Sequence, residues 1–194
     1  MPTDYEKVYQ QQRHALGDPT PEFVTFFDGY NKQNADVLDI GCGQGRDALF
    51  IARRGHHVVG VDRATTGIAQ LLEEAQAEAL HIEGVVADLS DFSPVGTYDV
   101  VVIDRTLHML EADTLLDVLE RICHAVRDDG FVLIADEKSN LPAMRAFFET
   151  DSHRWTALID RQGFLFVQKK QRSLSRYDIA KTFCSGILLK SFSH

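Results

Sequence analysis

Short apolar runs alternate with helical stretches along most of this chain. Five runs are apolar on nearly every residue, which predicts strands over residues 36–40, 57–62, 82–88, 98–104 and 131–137. Between them, apolar residues recur at helical spacing and predict helices over residues 47–54, 66–80 and 113–127. Strands that alternate with helices form right-handed βαβ crossovers. The pattern therefore predicts an α/β protein whose parallel sheet is covered on both faces.

The residues at the ends of these elements agree with the pattern. Gly55 follows the first of these helices as a C-terminal stop, and Asp113 is a candidate N-cap for the third. Residues 128–130, Asp-Asp-Gly, predict a turn into the fifth strand.

The rhythm changes after the fifth strand. Residues 141–149 predict a short helix, and residues 155–160 and 164–169 predict two strands joined by a short linker. A linker of this length forms a hairpin, so the last two strands are expected to be antiparallel.

Two flanking segments complete the chain. The N-terminal segment has a turn at residues 17–19, followed by a short helix through Phe23, Phe26 and Phe27. The C-terminal segment predicts a helix that begins near Tyr177.

Length and charge restrict the class of protein. The chain has 194 residues and a formal net charge of −9, which indicates one globular domain and disfavours binding to a phosphate backbone. No apolar run approaches the roughly 20 residues that span a bilayer, and the first residues lack the apolar core of a secretory signal. The three cysteines, Cys42, Cys123 and Cys184, are isolated, as is typical of reduced thiols. We therefore expect a cytoplasmic protein with neither nucleic acid nor membrane as a partner.

A glycine-rich turn follows the first strand. Gly41, Gly43 and Gly45 lie where an open α/β sheet binds nucleotide-like ligands, and Asp39 precedes them. Three acids lie at the carboxyl ends of the next predicted strands: Asp62, Asp88 and Asp104.

The spacing and the loop together distinguish two kinds of ligand. Asp62 comes 21 residues after Gly41, the spacing at which a carboxylate can bind both ribose hydroxyls. A dinucleotide loop requires a glycine where this chain has Arg46, and Asp39 would repel a pyrophosphate. These residues favour a ligand that carries an ammonium group, and they disfavour an NAD-dependent oxidoreductase.

The segments LDIGCGQGRDALFIARRGHHVVGVD, VVADLSDF and YDVVVID resemble the seven-stranded S-adenosylmethionine-dependent methyltransferases. The resemblance covers roughly residues 35–170 and is similar to small members of the tellurite-resistance and thiopurine types. It implies a three-layer, doubly wound, Rossmann-like sheet with strand order 3-2-1-4-5-7-6. Residues 1–194 then form one domain, with a lid at 1–34, a core at 35–170 and a tail at 171–194.

The resemblance also implies roles for particular residues. Gly41, Cys42 and Gly43 would line the methionine half of the cofactor, with Asp39 beside it. Asp62, followed by Arg63, would hold the ribose, while Asp88 and the Leu89 amide would bind adenine. Asp104 and Arg105 would lie beneath the sulfonium. Arg13, four residues after Tyr9, is either a partner of the cofactor carboxylate or an exposed residue of a surface helix.

Methyl transfer from a sulfonium is an in-line displacement that depends mainly on the positioning of the reactants. A base is required only if the acceptor arrives protonated, and His108, shortly after the fourth strand, is the candidate; a helix-start histidine bonded to backbone is the alternative. Asp104 and Asp136, with Glu137 and Asn140 nearby, raise the option of a Mg²⁺ site, although the expectation is a site without metal.

The sequence thus predicts a methyltransferase that uses S-adenosylmethionine, releases S-adenosylhomocysteine and acts on a small molecule. The alternative is a non-catalytic module that binds the cofactor or a partner protein through the same fold. The identity of the acceptor stays open, and so does homodimer formation.

Overall fold

The computed structural model describes residues 3–171 and arranges seven strands in one sheet. The strands are β1 (Asp36–Ile40), β2 (His57–Asp62), β3 (Ile82–Val86), β4 (Tyr98–Asp104), β5 (Val126–Ala135), β6 (Trp155–Arg161) and β7 (Phe164–Lys169). The helices of this part of the chain are α1 (Tyr5–Gln11), α2 (Pro21–Gly29), α3 (Arg46–Ala52), α4 (Thr65–Ala77), α5 (Ala112–His124) and α6 (Leu141–Thr150), with a 3₁₀ turn at Leu107–Met109.

The strand order is β3-β2-β1-β4-β5-β7-β6, which confirms the predicted order. Strands β1 to β5 are parallel, and β7 pairs antiparallel with both β5 and β6, as the short hairpin linker requires. The chain winds outward from β1 to β3 and then crosses back to β4 beside β1. A crevice at this point of reversal is where open α/β sheets bind ligands.

Alternate residues of the central strands face two separate apolar layers. Leu38 and Ile40 pack with α5 and α6 on one side, whereas Val37 packs with α2, α3 and α4 on the other. Burial of each Leu, Val or Ile side chain stabilises the fold by about 1.5–3 kcal/mol relative to exposure. The doubly covered sheet explains why these strands are apolar on nearly every residue.

Strand β5 begins five residues earlier than predicted, at Val126 rather than residue 131. Val126 pairs with Tyr98 while Phe131 pairs with Val100, so the predicted turn at residues 128–130 is an irregularity inside the strand. Asp129 has a φ of 63° there, and its carbonyl accepts a hydrogen bond from Gln168 Nε2 at 3.2 Å. Pairing of Val126 and Phe131 with β4 on either side of residues 128–130, together with the bond from Gln168, keeps this segment within the sheet.

Several other boundaries differ by a few residues. Helix α5 ends at His124, and its N-cap is Glu111 rather than Asp113, which lies in the first turn. Helix α4 ends at Ala77 and β3 at Val86, both earlier than predicted. Gly55 has the left-handed φ of 86° expected of a residue that stops a helix. The helix predicted near Tyr177 and Cys184 lie outside the described residues.

Two polar clusters fasten the edge of the sheet opposite the glycine loop. Lys169 Nζ is buried and donates to the carbonyls of Cys123 and Val126, at 3.2 and 2.5 Å, where α5 ends. Arg127 pairs with Asp36 and Asp99, each at 2.7 Å, and Lys32 also pairs with Asp99. No helix in the described part of the chain is long and apolar enough to cross a bilayer.

Candidate cofactor site at the carboxyl edge of the sheet

The carboxyl ends of β1, β2 and β4 meet at one edge of the sheet. Ile40 is in register with Val61 on one side and with Ile103 on the other. The predicted site residues that follow these strands are therefore neighbours in space.

The loop after β1 needs glycine at two positions because the backbone is crowded there. Gly41 has a φ of 73°, and a Cβ on it would collide with the side chain of Thr106. Gly43 has a φ of 54°, and a Cβ would collide with the hydroxyl of Tyr9. The Gly43 amide donates to Asp62 Oδ2 at 2.9 Å. The loop is thus fixed between the segment after β4, helix α1 and the end of β2.

Buried charges gather beside this loop. Arg46 pairs with Asp47 Oδ2 at 2.6 Å and with Asp104. Thr20, just before α2, donates from its amide to Asp47 at 3.0 Å and from its hydroxyl to Asp104 Oδ2 at 2.6 Å. Asp39, which is 3% exposed, lies close enough to Asp47, Arg46 and Asp104 for their charges to shift its pKa. The cluster holds three carboxylates and one buried guanidinium.

Two oxygens of this cluster are buried without a hydrogen-bond partner among the described residues, Asp39 Oδ2 and Asp104 Oδ1. The guanidinium of Arg105 approaches Asp104 Oδ1 only to 3.7 Å, and its side chain is largely exposed. Unpaired buried carboxylate oxygens are costly, and they are satisfied when a cationic donor binds.

Burial raises the pKa of Asp39 well above its usual value, and the negative charges of Asp47, Asp104 and Asp62 raise it further against the opposing effect of Arg46. Burial also raises the pKa of Asp47, while the adjacent Arg46 lowers it. The site therefore disfavours the charged form of Asp39, and a cation bound beside it would stabilise that carboxylate.

Asp62 lies at the end of β2, and Asp88 follows β3, the neighbouring strand, at the same edge of the sheet. The Asp62 carboxylate accepts from Gly43 and, at 2.7 Å, from the Ala64 amide, so its orientation is fixed against the loop. Asp88 is exposed, and hydrogen bonds from Ser90 lower its pKa. Leu89 beside it is buried at 8% exposure, and Arg63 is exposed.

His108 lies in the 3₁₀ turn after β4, against a buried carboxylate. Its amide donates to Asp136 Oδ2 at 3.3 Å, and its Nδ1 is 3.9 Å from Asp136 Oδ1. This Nδ1 is buried and makes no hydrogen bond within residues 3–171. Burial raises the pKa of Asp136, whereas the Glu137 amide and the His108 imidazole lower it.

The structure does not bring Arg13 to the loop. Helix α1 ends at Gln11, so Arg13 does not continue the helical face of Tyr9, and its exposed guanidinium pairs with Glu73. The buried guanidinium at the loop belongs to Arg46, whose contacts to Thr20 and Asp104 sequence reasoning missed. The signal available was the charged pair of Arg46 and Asp47 directly after the last glycine.

The segment before α2 lies over the glycine loop. Tyr9 is buried at 3% exposure against Gly43. The buried side chain of Gln44 accepts from the Ala15 amide and donates to the Gln12 carbonyl, each at 2.8 Å. The position of this segment is the one that the lid prediction requires, and its role as a lid stays a prediction.

Asp104 and Asp136 are the residues that raise the option of a Mg²⁺ site at this edge. Within residues 3–171, no group of three or more His, Cys, Asp and Glu side chains is placed to hold a metal ion. Asp136 instead accepts hydrogen bonds from the Glu137 amide at 2.7 Å and from Asn140 Nδ2 at 3.3 Å.

Comparisons with known proteins agree with this geometry. The family described as "Methyltransferase domain" matches residues 37–130. A 2-heptyl-1-hydroxyquinolin-4(1H)-one methyltransferase of Mycobacteroides abscessus is 38% identical over 142 residues, which are 71% of this chain and 61% of that protein. The chain spans less than two thirds of the length of the first curated relatives that it matches.

Two solved structures show the same fold. TehB from Haemophilus influenzae aligns with a TM-score of 0.69 and 16% identity, over 86% of this chain and 67% of that chain. A TehB-like methyltransferase from Corynebacterium glutamicum aligns with a TM-score of 0.63 and 22% identity, over 87% of this chain and 98% of that chain. The strand order and the glycine loop are those of the seven-stranded methyltransferase fold, and the chain is similar to S-adenosylmethionine-dependent methyltransferases of the TehB type.

Proposed function

We propose that this protein transfers a methyl group from S-adenosylmethionine to a small-molecule acceptor. The observation that carries the proposal is the excess of carboxyl groups over cationic groups beside the glycine loop, with Asp39 Oδ2 and Asp104 Oδ1 left without partners among the described residues. S-adenosylmethionine has an ammonium group and a positively charged sulfur, so its charges complement this cluster. When bound, it supplies an electrophilic methyl group on that sulfur.

Particular residues would hold each part of the cofactor. Asp39 would accept from the ammonium, and the positive φ of Gly41 and Gly43 gives the loop the tight turn that would pass around the cofactor. Asp62, fixed by the Gly43 amide, would accept from the ribose hydroxyls. Asp104 would stabilise the cationic sulfur by charge.

The further task of the protein is to position the acceptor and to take up its proton. An in-line displacement gains most from holding the reacting atoms at attack distance. His108, partly open to solvent and in contact with buried Asp136, would take the proton of an acceptor hydroxyl. The bond from the His108 amide to Asp136 Oδ2 would hold the 3₁₀ turn that carries the imidazole.

A small, hydroxylated aromatic molecule is the acceptor class that we propose to test first. The similarity to the quinolone methyltransferase supports this choice, although the chain covers only 61% of that relative. The net charge of −9 disfavours a polyanionic acceptor such as a nucleic acid.

Calorimetry with S-adenosylmethionine and S-adenosylhomocysteine tests the binding step. The wild-type protein should bind both with micromolar affinity, and Asp62→Ala should weaken binding at least about tenfold because a charge-assisted contact is lost. Asp160→Ala, which removes an exposed carboxylate paired with Arg145, is the matched control and should bind as the wild type does. If the wild-type protein binds neither compound, the proposal is wrong.

Release of S-adenosylhomocysteine from a panel of N-hydroxyquinolones, phenols, thiols and amines tests the chemistry. His108→Gln should lower turnover at least about 100-fold and leave cofactor affinity unchanged, since a positioned base contributes that much. Activity should be the same in EDTA as in Mg²⁺. Cofactor binding without turnover of any acceptor would favour the non-catalytic module instead.

A further inference from the structure

A single helical turn follows β3 and connects it to the crossover toward β4. The carbonyl of Asp88 accepts from the amides of Asp91, at 3.1 Å, and Phe92, at 3.0 Å. Asp88 Oδ1 accepts from the amide and the hydroxyl of Ser90, at 3.0 and 2.8 Å. These bonds shape the turn locally, but they do not attach it to the rest of the protein.

Leu89 and Phe92 pack into the apolar layer, and one side chain from another element adds polar contacts that hold the backbone of the turn. Arg121 of α5 donates from Nη1 to the Phe92 carbonyl at 2.6 Å, and from Nη2 to the carbonyls of Ser90 and Leu89, at 2.8 and 3.2 Å. The planar guanidinium suits this task because its donors point in several fixed directions at once. Helix α5 is itself held rigidly, since its Leu119 and Ile122 are buried in the apolar layer below.

The turn presents two unused polar groups next to each other. All hydrogen bonds that the Asp88 carboxylate makes within the described residues end on Oδ1, so Oδ2 is available as an acceptor. The Leu89 amide donates to no other atom of residues 3–171, although the Leu89 side chain is buried. An acceptor beside a donor complements the edge of adenine, which offers an amino donor beside a ring-nitrogen acceptor.

We infer that Arg121 is a positioning residue that sets the selectivity of this protein for adenine, by holding the turn so that Asp88 Oδ2 and the Leu89 amide face one base edge together. The inference rests on the proposed function, because it requires a cofactor with an adenine base. Arg121 acts through the carbonyls of the turn and does not touch the cofactor.

Selectivity is measured as the ratio of two dissociation constants, for S-adenosylhomocysteine and for its hypoxanthine counterpart, S-inosylhomocysteine. Hypoxanthine has an oxygen acceptor where adenine has its amino group, and an N–H donor where adenine has a ring-nitrogen acceptor. Both contacts are thereby reversed, so the wild-type protein should prefer the adenine compound by on the order of 100-fold. Arg121→Met should lower this preference to about tenfold or less, because a loosened turn can adapt to either base.

The control is Arg145→Met, which removes a guanidinium bonded to Asp160 on the surface of α6 and should leave the preference unchanged. Arg121→Lys is the second variant, for use if Arg121→Met fails to fold. One ammonium cannot reach three carbonyls in a fixed geometry, so the preference should fall at least about threefold. Measurements well below the Tm separate selectivity from stability, since overall destabilisation weakens the binding of both compounds equally.

Amide hydrogen exchange adds a measurement that needs no cofactor. In Arg121→Met, the amides of residues 89–92 should exchange at least about tenfold faster than in the wild type. A preference within twofold of the wild-type value in the folded Arg121 variants overturns the inference, and so does unchanged exchange in the turn. If the wild-type protein binds S-adenosylhomocysteine, the proposed function survives either of those results. If it binds neither compound, both the proposed function and the inference are wrong.

Discussion

An Asp39→Asn substitution removes a buried negative charge while it keeps the shape of the side chain. Asp39 is 3% exposed, its Oδ2 has no hydrogen-bond partner among the described residues, and three carboxylates act on it against one guanidinium. Relief of an uncompensated buried charge should raise the free energy of unfolding at pH 7 by about 1–2 kcal/mol. For a domain of this size, the Tm should then rise by about 2–8 °C.

The same substitution should damage cofactor binding. A hydrogen bond between two charged groups contributes about 1.5–3 kcal/mol, so the dissociation constant of S-adenosylhomocysteine should increase roughly 10–100-fold. Higher stability together with weaker binding is the expected mark of a residue kept for function.

The gain in stability should depend on pH in a defined direction. The pKa of Asp39 in the folded chain is raised above its usual value of 3.8, so its charge destabilises the folded state fully at pH values above that raised pKa. As the pH falls from there toward 3.8, Asp39 takes up a proton in the folded state and the penalty disappears. The difference between the variant and the wild type should therefore be largest at neutral pH and should shrink in acid.

Thermal unfolding between pH 4 and pH 8, together with calorimetric titration of S-adenosylhomocysteine, checks these expectations. The control is Asp160→Asn, in which a partly exposed carboxylate loses its pairing with Arg145. It should not raise the Tm, because Arg145 lowers the pKa of Asp160 and the charge is stabilising. A Tm of Asp39→Asn below that of the wild type at pH 7, or unchanged affinity, would refute the reasoning.

Three further substitutions test the packing described above. Gly43→Ala should displace Tyr9 and weaken S-adenosylhomocysteine binding at least about tenfold, as titration calorimetry can show. The control is Gly96→Ala, because Gly96 also has a positive φ but has open space around it; this variant should cost about 1–2 kcal/mol of stability and leave binding unchanged. Lys169→Met should lower the free energy of unfolding in urea by about 2–3 kcal/mol, because the carbonyls of Cys123 in α5 and Val126 in β5 lose a charged donor. Arg127→Met should lower the same quantity by about 1–2 kcal/mol at low salt and by less in 1 M NaCl, since half-exposed ion pairs are screened.

The fold was largely predictable from local pattern. Runs such as residues 98–104 and 131–135 are apolar at most positions because both faces of the sheet are covered, and this signal is contained within each run. The exact start of β5 was not predictable, because Asp128-Asp129-Gly130 has the composition of a turn. Pairing of the flanking residues with β4 and the bond from Gln168 keep it in the sheet.

The residues of the candidate site also fall into those that local sequence indicates and those that only tertiary contacts place. The chain itself determines the glycines of the loop and the acids after the strands, because crossover connections bring the carboxyl ends of parallel strands to one edge. The tertiary structure alone decided the partners of three arginines. Arg46 pairs within the charge cluster, Arg13 pairs with Glu73 on the surface, and Arg121 bonds to the turn after β3. Each of these depends on contacts between distant segments, such as the bond from Thr20 to Asp104 across 84 residues, and no local pattern encodes which charged side chain reaches which partner.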